Sequence, residues 1–404
     1  MVRDTFAALG IPNYRRFFAG QAISLIGTWI QSVAMAWLIL EISGSAASIG
    51  LAVALQFLPV LVFGPYGGVV VDRVDKRRLL ITTQSLAGVQ AGLLAVLVLT
   101  GHANIVLVLI LSLFLGFIYV FDMPARAAFV REMVDPELVR NAVSLNSVVI
   151  NGARIVGPAL AGVMIASIGL GWCFAANAAS FVGVITAYAI MRSDQLIPVE
   201  PVERAPGQLR EGMRYVWRNP DLRVPLIMMA VVGTLTYEFQ VVLPALTSET
   251  FDSGAQSLGL LSAAMGVGAV IGGLISATRQ SSGIRAIALA SGVFGLAVFA
   301  AAVMPSVIWA AVAMIPVGAA SIWFTSAGNS AVQLHTEPQM RGRVMSLWTV
   351  AFIGSTPVGA PIVGWVAETA GPRWALGLGA AAALGAGLYG ARWAVRMNRT
   401  AHVA

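Results

Sequence analysis

The chain has 404 residues, of which 58% are hydrophobic and 11% charged, and carries a net charge of +7. An ordinary soluble domain has about 25% charged residues, so this composition excludes a water-facing globule, and the basic excess is that of loops beside anionic lipid with no need of nucleic acid. The only lysine, Lys76, precedes an arginine, which excludes the Gly-Lys-Ser/Thr phosphate loop of a self-contained ATP-driven pump.

The apolar residues fall in long blocks. Crossing a hydrocarbon core of ~30 Å takes about 20 helical residues. Phe17–Leu40 is too long for a signal-peptide core and lacks a small-residue cleavage site, so it reads as the first span. Further spans follow at Ile49–Val71, Leu79–Leu99, Ile105–Asp122, Val143–Ile168 and Trp172–Met191. After a long loop come Val224–Leu246, Leu258–Ala277, Ile284–Met304, Ile308–Ser330, Val344–Ala367 and Trp374–Val395, twelve in all. Barrel strands would alternate polar and apolar residues, and these blocks do not. Of the 25 Lys and Arg residues, only Arg154 and Arg373 lie away from the N-terminal arm, the even-numbered loops, their flanking helix ends and the C-terminal tail. The positive-inside rule therefore puts both termini in the cytoplasm. Cys173 has no partner for a disulfide, and His102, His335 and His402 are isolated, so no metal site or cofactor is expected.

The sequence repeats itself. A shift of 202 residues lays Gly116–Gly183 on Gly318–Gly385 without a gap. Asp135-Pro136-Glu137 then falls on Glu337-Pro338-Gln339, Gly157 on Gly359, Gly162 on Gly364, Gly169 on Gly371 and Trp172 on Trp374. Six spans precede the junction and six follow, which predicts two parallel six-helix halves, 1–192 and 223–404. Residues 193–222 form a cytoplasmic linker. Its first part carries Pro198, Pro201 and Pro206; its second recurs at helix spacing, with Leu209, Met213, Val216 and Trp217 beside a stripe of Arg210, Arg214 and Arg218. That pattern predicts an amphipathic helix on the membrane surface.

Charged side chains within spans cost at least ~2.5–3.5 kcal/mol on insertion scales, so each asks for a reason. Asp122 and Arg126 lie four apart on one helix face, and their repeat equivalents are Phe324 and Gly328. Arg154 follows Ser144, Ser147 and Asn151 along one stripe, and its equivalent is Thr356. It either faces a cavity or is held by backbone carbonyls. Glu238 lies mid-span beside Tyr237 and one turn from Thr234. A carboxyl group there can take up a proton on one side and release it on the other, or serve as a structural bond to a neighbouring helix.

Parallel six-helix repeats with a long central loop resemble the major facilitator superfamily. Gly68-Val69-Val70-Val71-Asp72-Arg73-Val74-Asp75-Lys76-Arg77-Arg78 is similar to its first-loop signature, with Asp75 where a glycine is usual. Ala153-x-x-x-Gly157-Pro158-x-x-Ala161-Gly162 resembles the antiporter motif of exporters, and Phe121–Arg126 looks like the branch of transmembrane secretion effectors that includes the enterobactin exporter. The resemblance implies a cytoplasmic gate containing Gly68, Asp72, Arg73, Lys76, Arg77, Asp122 and Arg126, with Asp72 facing the N-terminus of the eleventh helix near Gly342–Val344. It also implies that Asp122 pairs with the basic residues of that motif; a local pair with Arg126 is the simpler reading. Since the first, fourth, seventh and tenth helices line the cavity in this superfamily, Glu238, Gln31, Tyr119 and Trp323 are coupling and substrate candidates, and Arg154 joins them as a charge within the fifth span. The expected protein is a monomeric, multi-pass transporter of the bacterial inner membrane. Its partners are a small-molecule substrate, protons and membrane lipids, and it exports a siderophore- or drug-like compound by proton antiport. A lysophospholipid flippase of the same fold and a non-transporting sensor or scaffold are the alternatives. No nucleophile–base constellation suggests an enzyme.

Overall fold

The protein is described from a computed structural model covering residues 6–197, 208–278, 283–337 and 339–401. Pro198, Pro201 and Pro206 lie outside the described residues. Among the described residues the chain is helical, and twelve segments are long and apolar enough to cross a membrane. The first six are α1 (Pro12–Ser43), α2 (Ala46–Arg73), α3 (Lys76–Leu99), α4 (Ile105–Met133), α5 (Val139–Ser167) and α6 (Leu170–Ala189). The linker helix α7 (Gln208–Arg218) leads into the seventh span, which is split into α8 (Pro220–Leu235) and α9 (Phe239–Ala245). Then come α10 (Ala255–Thr278), α11 (Ile284–Ala302) and α12 (Val307–Leu334). The eleventh span is likewise split, into α13 (Arg341–Phe352) and α14 (Thr356–Ala370), and α15 (Pro372–Ala401) ends the fold.

Local chemistry sets several helix starts. Asn104 caps α4 by accepting from the Leu107 amide, and Asn219 caps α8 by accepting from the Asp221 amide, with Pro220 in the first turn. Asp75 stands where the first-loop signature has glycine. It has φ −61° and accepts from the Arg78 amide, so this position is a helix cap and needs no left-handed residue. The repeat is visible in the backbone: Gly169 before α6 has φ +92°, and its equivalent Gly371 before α15 has φ +102°. Both turns require a residue without a Cβ.

The helices cluster into two compact units, Met1–Ser43 with Leu55–Arg204, and Gly44–Ala54 with Ala205–Ala404. This differs from a division at the repeat junction, because the first turns of α2 belong with the second unit. There Glu368 of α14 accepts hydrogen bonds from the Ser45 hydroxyl and, at 3.0 Å, from the Ala47 amide. A Cβ on Gly364 would come within 2.8 Å of the Ala46 carbonyl oxygen, so the two backbones are in direct contact. Small residues permit such approaches throughout the second unit. Gly268 and Gly272 of α10 lie against the backbone of Ile315 and Ala319 on α12, and Gly318 lies against Met265. The first unit has such approaches too, Gly67 against Val120 and Gly116 against Gln56, and adds an aromatic cluster of Phe17, Phe129 and Tyr188, with ring centroids 6.1–6.3 Å apart.

Candidate functional site

Three groups of intramembrane polar side chains stand out, two in the first unit and one in the second. The first is built on Asp122, which is 1% exposed. One carboxylate oxygen accepts from Thr83 Oγ1 at 2.8 Å and Gln84 Nε2 at 2.7 Å, and the other pairs with Arg126 one turn along α4. Arg126 also donates to Gln21 Oε1 at 3.1 Å, and Gln21 donates to the Tyr188 hydroxyl at 2.6 Å. Four spans, α1, α3, α4 and α6, are thereby joined through one buried ion pair.

The expected pairing of Asp122 with the first-loop motif is not what the structure has. Lys76 pairs with Glu132 at 2.7 Å. The reason is depth. Lys76 opens α3 and Glu132 nearly ends α4, so they share a level, whereas Asp122 lies ten residues, about 15 Å, deeper along the same helix. It meets Thr83 and Gln84, two turns into α3. Arg77 binds the carbonyls of Tyr188 and Ala189 at 2.7 and 2.6 Å, closing the end of α6. Gly68 is buried, Asp72 is partly buried and Arg73 is exposed.

The second group is built on Gln31, which is bonded to two other helices. Its amide donates to Gln90 Oε1 at 3.0 Å and its carbonyl accepts from Asn177 at 2.8 Å. All three side chains are buried, so Gln31 joins α1 to α3 and α6. Arg154 remains partly buried, its guanidinium 5.2 Å from the centre of the Trp29 ring. Gly157, one turn on, lets α1 approach closely. A Cβ there would collide with Trp29 and come within 3.0 Å of the Ile26 carbonyl oxygen. Pro158 and Gly162 are buried, and α5 runs through Pro158 without a break. Tyr119 hydrogen-bonds Gln56 and packs 6.4 Å from Phe57. Trp323 on α12 is half-buried.

Glu238 occupies the gap between α8 and α9. The helix ends at Leu235, Thr236 donates to the Gly379 carbonyl at 2.8 Å, and Tyr237 donates to the Ser321 carbonyl at 2.8 Å. Tyr237 is wedged between Phe294 and Phe352, at 5.3 and 5.1 Å. The Glu238 side chain is 5% exposed, and its Oε1 has no hydrogen-bond partner among the described residues. It borders a small pocket whose other walls, Leu235, Val242, Val298 and Leu376 among them, are mainly apolar. The break in the eleventh span lies alongside. A Cβ on Gly359 would overlap the Thr234 carbonyl and come within 2.9 Å of Glu238 Oε1, and one on Gly233 would come within 2.9 Å of Ser355 Oγ. An unpartnered carboxyl group in such surroundings is a costly feature for a fold to keep.

Sequence reasoning found Asp122, Arg126 and Glu238 through their charge. It missed Thr83, Gln84, Gln90, Asn177 and Glu132. A signal existed in the third span, where Gln84 and Gln90 are amides inside an apolar block.

The family pattern of transmembrane secretion effectors matches residues 3–403. The staphyloferrin A transporter of Staphylococcus aureus is 24% identical over 88% of this chain and 89% of its own. The enterobactin exporter EntS of Salmonella typhi is 26% identical over 87% and 85%. Among solved structures, a bacterial homologue of the iron transporter ferroportin matches with a TM-score of 0.75 at 14% identity, covering 94% of this chain and 98% of that one. The nucleoside transporter NupG matches with a TM-score of 0.71 at 14% identity and the same coverage. At that identity these two establish the fold alone, and the family pattern places the chain in the major facilitator superfamily. The chain belongs to the transmembrane secretion effector family of that superfamily, and is a multi-pass bacterial membrane transporter of small molecules and no enzyme.

Proposed function

We propose that this protein exports a siderophore- or drug-like organic molecule across the bacterial inner membrane by proton antiport and alternating access, with both termini in the cytoplasm and a monomer as the working unit. The observation that carries the coupling assignment is Glu238, a carboxyl group 5% exposed with an unpartnered oxygen at the interruption of the seventh span. Two relatives that transport siderophores support the substrate class. Arg154 over Trp29 and the Tyr119–Gln56 pair are the substrate contacts in the first unit, and Trp323 is the candidate in the second. Residues 1–192 and 223–404 act as the moving halves, joined by 193–222. The first-loop residues Gly68, Asp72, Arg73, Lys76 and Arg77 form the cytoplasmic gate, with Lys76 braced by Glu132. Of the antiporter-like residues Gly157, Pro158 and Gly162, Gly157 lets the fifth span lie close to the first.

The energetics suffice. One proton moving down ~100 mV supplies ~2.3 kcal/mol, and a tenfold gradient of a neutral substrate needs about 1.4 kcal/mol. In proteoliposomes, Glu238→Gln is expected to abolish substrate accumulation driven by a pH gradient while leaving substrate exchange at equal pH intact. Accumulation by the variant at the wild-type level would remove Glu238 from the mechanism.

A further inference from the structure

The linker helix α7 has two unlike sides. One packs on the start of the eleventh span: Val216 is 2% exposed, Gly212 lies 3.1 Å from Arg343 Cβ on the same Cβ construction, and Glu211 pairs with Arg343 at 2.7 Å. The other side presents Arg210, Met213, Arg214, Trp217 and Arg218, all exposed. Met213 and Trp217 are 47% and 59% exposed. A helix docked only on protein would turn these two inward. Large apolar side chains bordered by arginines are instead the pattern of a helix seated among headgroups.

The end of α7 converges on the seventh and twelfth spans. Arg223 in the first turns of α8 donates to the Trp217 carbonyl at 3.4 Å, and its guanidinium lies 5.3 Å from the centre of the Trp393 ring on α15. Arg392 adjoins Trp393 and is exposed. Among the described residues Arg218, Arg223 and Arg392 form no ion pair; of the two acids nearest in sequence, Glu211 is engaged by Arg343, and Asp221, in the first turn of α8, is in no ion pair either. We propose that Trp217, Arg218, Arg223, Arg392 and Trp393 form a binding site for the phosphate headgroup of an anionic bilayer lipid. The tryptophans lie at the level of the glycerol backbone and the arginines take the phosphate. Because Glu211 holds Arg343 in the first turn of α13, lipid bound to α7 also fixes the position of the eleventh span's entrance. The site is independent of the coupling assignment at Glu238.

The test uses the purified full-length protein in detergent micelles, with native mass spectrometry reading retained phosphatidylglycerol against phosphatidylcholine. Each arginine near a membrane surface adds about fivefold in affinity for anionic lipid. The triple variant R218Q/R223Q/R392Q is therefore expected to lose ~100-fold in phosphatidylglycerol affinity with phosphatidylcholine unchanged, and the triple lysine variant to keep most of it. In case the glutamine variant does not fold, brominated phosphatidylglycerol is expected to quench wild-type fluorescence more than brominated phosphatidylcholine, with the excess lost in Trp217→Phe. Unchanged selectivity in the glutamine variant, equal quenching by both lipids, or displacement of the lipid by millimolar inorganic phosphate would each overturn the site.

Discussion

The Asp122–Arg126 pair offers the sharpest test of how the first unit is held together. Replacing Asp122 by Asn keeps the shape and leaves Thr83 an acceptor, but removes the charge that faces Arg126. The neutral bonds are the smaller part of the effect, because interhelical hydrogen bonds in membrane proteins average about 0.6 kcal/mol each. The bonds from Thr83 and Gln84 together therefore account for about 1.2 kcal/mol. The larger part is the stranded guanidinium. Arg126 has 23% of its side chain exposed and a buried Nε without a partner, so water cannot replace the carboxylate fully. Removing one member of a buried pair costs about 3–5 kcal/mol. The expected loss for Asp122→Asn is thus about 3–5 kcal/mol, with a similar loss for Asp122→Ala. The double variant Asp122→Asn/Arg126→Gln is expected to recover at least 2 kcal/mol of the summed single losses, as coupled partners do. Unfolding by SDS titration in mixed micelles measures all four corners of this cycle. Single losses below about 1 kcal/mol, or strict additivity, would show that the pair is solvated and that the four spans are held by packing alone.

The other expectations follow from geometry already described. Gly359→Ala places a methyl group against the Thr234 carbonyl and Glu238 Oε1, and is expected to cost about 1–3 kcal/mol and reduce pH-driven transport. Gly377→Ala, with nothing within 4 Å of the added group, is the control expected to be neutral or stabilising by up to about 1 kcal/mol. Gly169→Ala and Gly371→Ala each force an L-residue into a left-handed turn, and thermal unfolding is expected to show similar losses of about 1–2 kcal/mol at both. Lys76→Glu is expected to impair transport by setting two carboxylates face to face, and the swap Lys76→Glu/Glu132→Lys to restore it. Failure of the swap to restore transport would show that Lys76 acts through something other than that pair.

The spans and the repeat could be read from the chain because each depends on local composition. Twenty apolar residues need no partner to declare a membrane helix, and Gly169 and Gly371 mark the same turn twice. What could not be read depends on register between helices. Asp122 was visible as a charge in a span, but its level relative to Lys76 is fixed by how α3 and α4 slide past each other, which places Glu132 opposite the lysine instead. Gln31 is an amide in a span and could have several uses, and its bonds to Gln90 and Asn177 depend on how α3 and α6 lie against α1. The breaks at Thr236–Glu238 and Ile353–Ser355 carry no proline or glycine apart from Gly354 in the second. At the first, Thr236 and Tyr237 bond to carbonyls on other helices, a competition the sequence of one helix does not display; at the second, Ser355 bonds the Phe352 carbonyl and Pro357 follows in the first turn of α14 without an amide hydrogen.

The interrupted seventh and eleventh spans carry a mechanical consequence. An unbroken helix is a rod and passes torque from one end to the other, whereas an interruption of the helical ladder makes a swivel. Here two swivels mesh like gear teeth, with Gly359 seated on Thr234 and Gly233 on Ser355, so neither outer segment can turn far without the other. Glu238 Oε1 lies at that tooth. A substitution at Glu238 is therefore expected to disturb the packing at both interruptions.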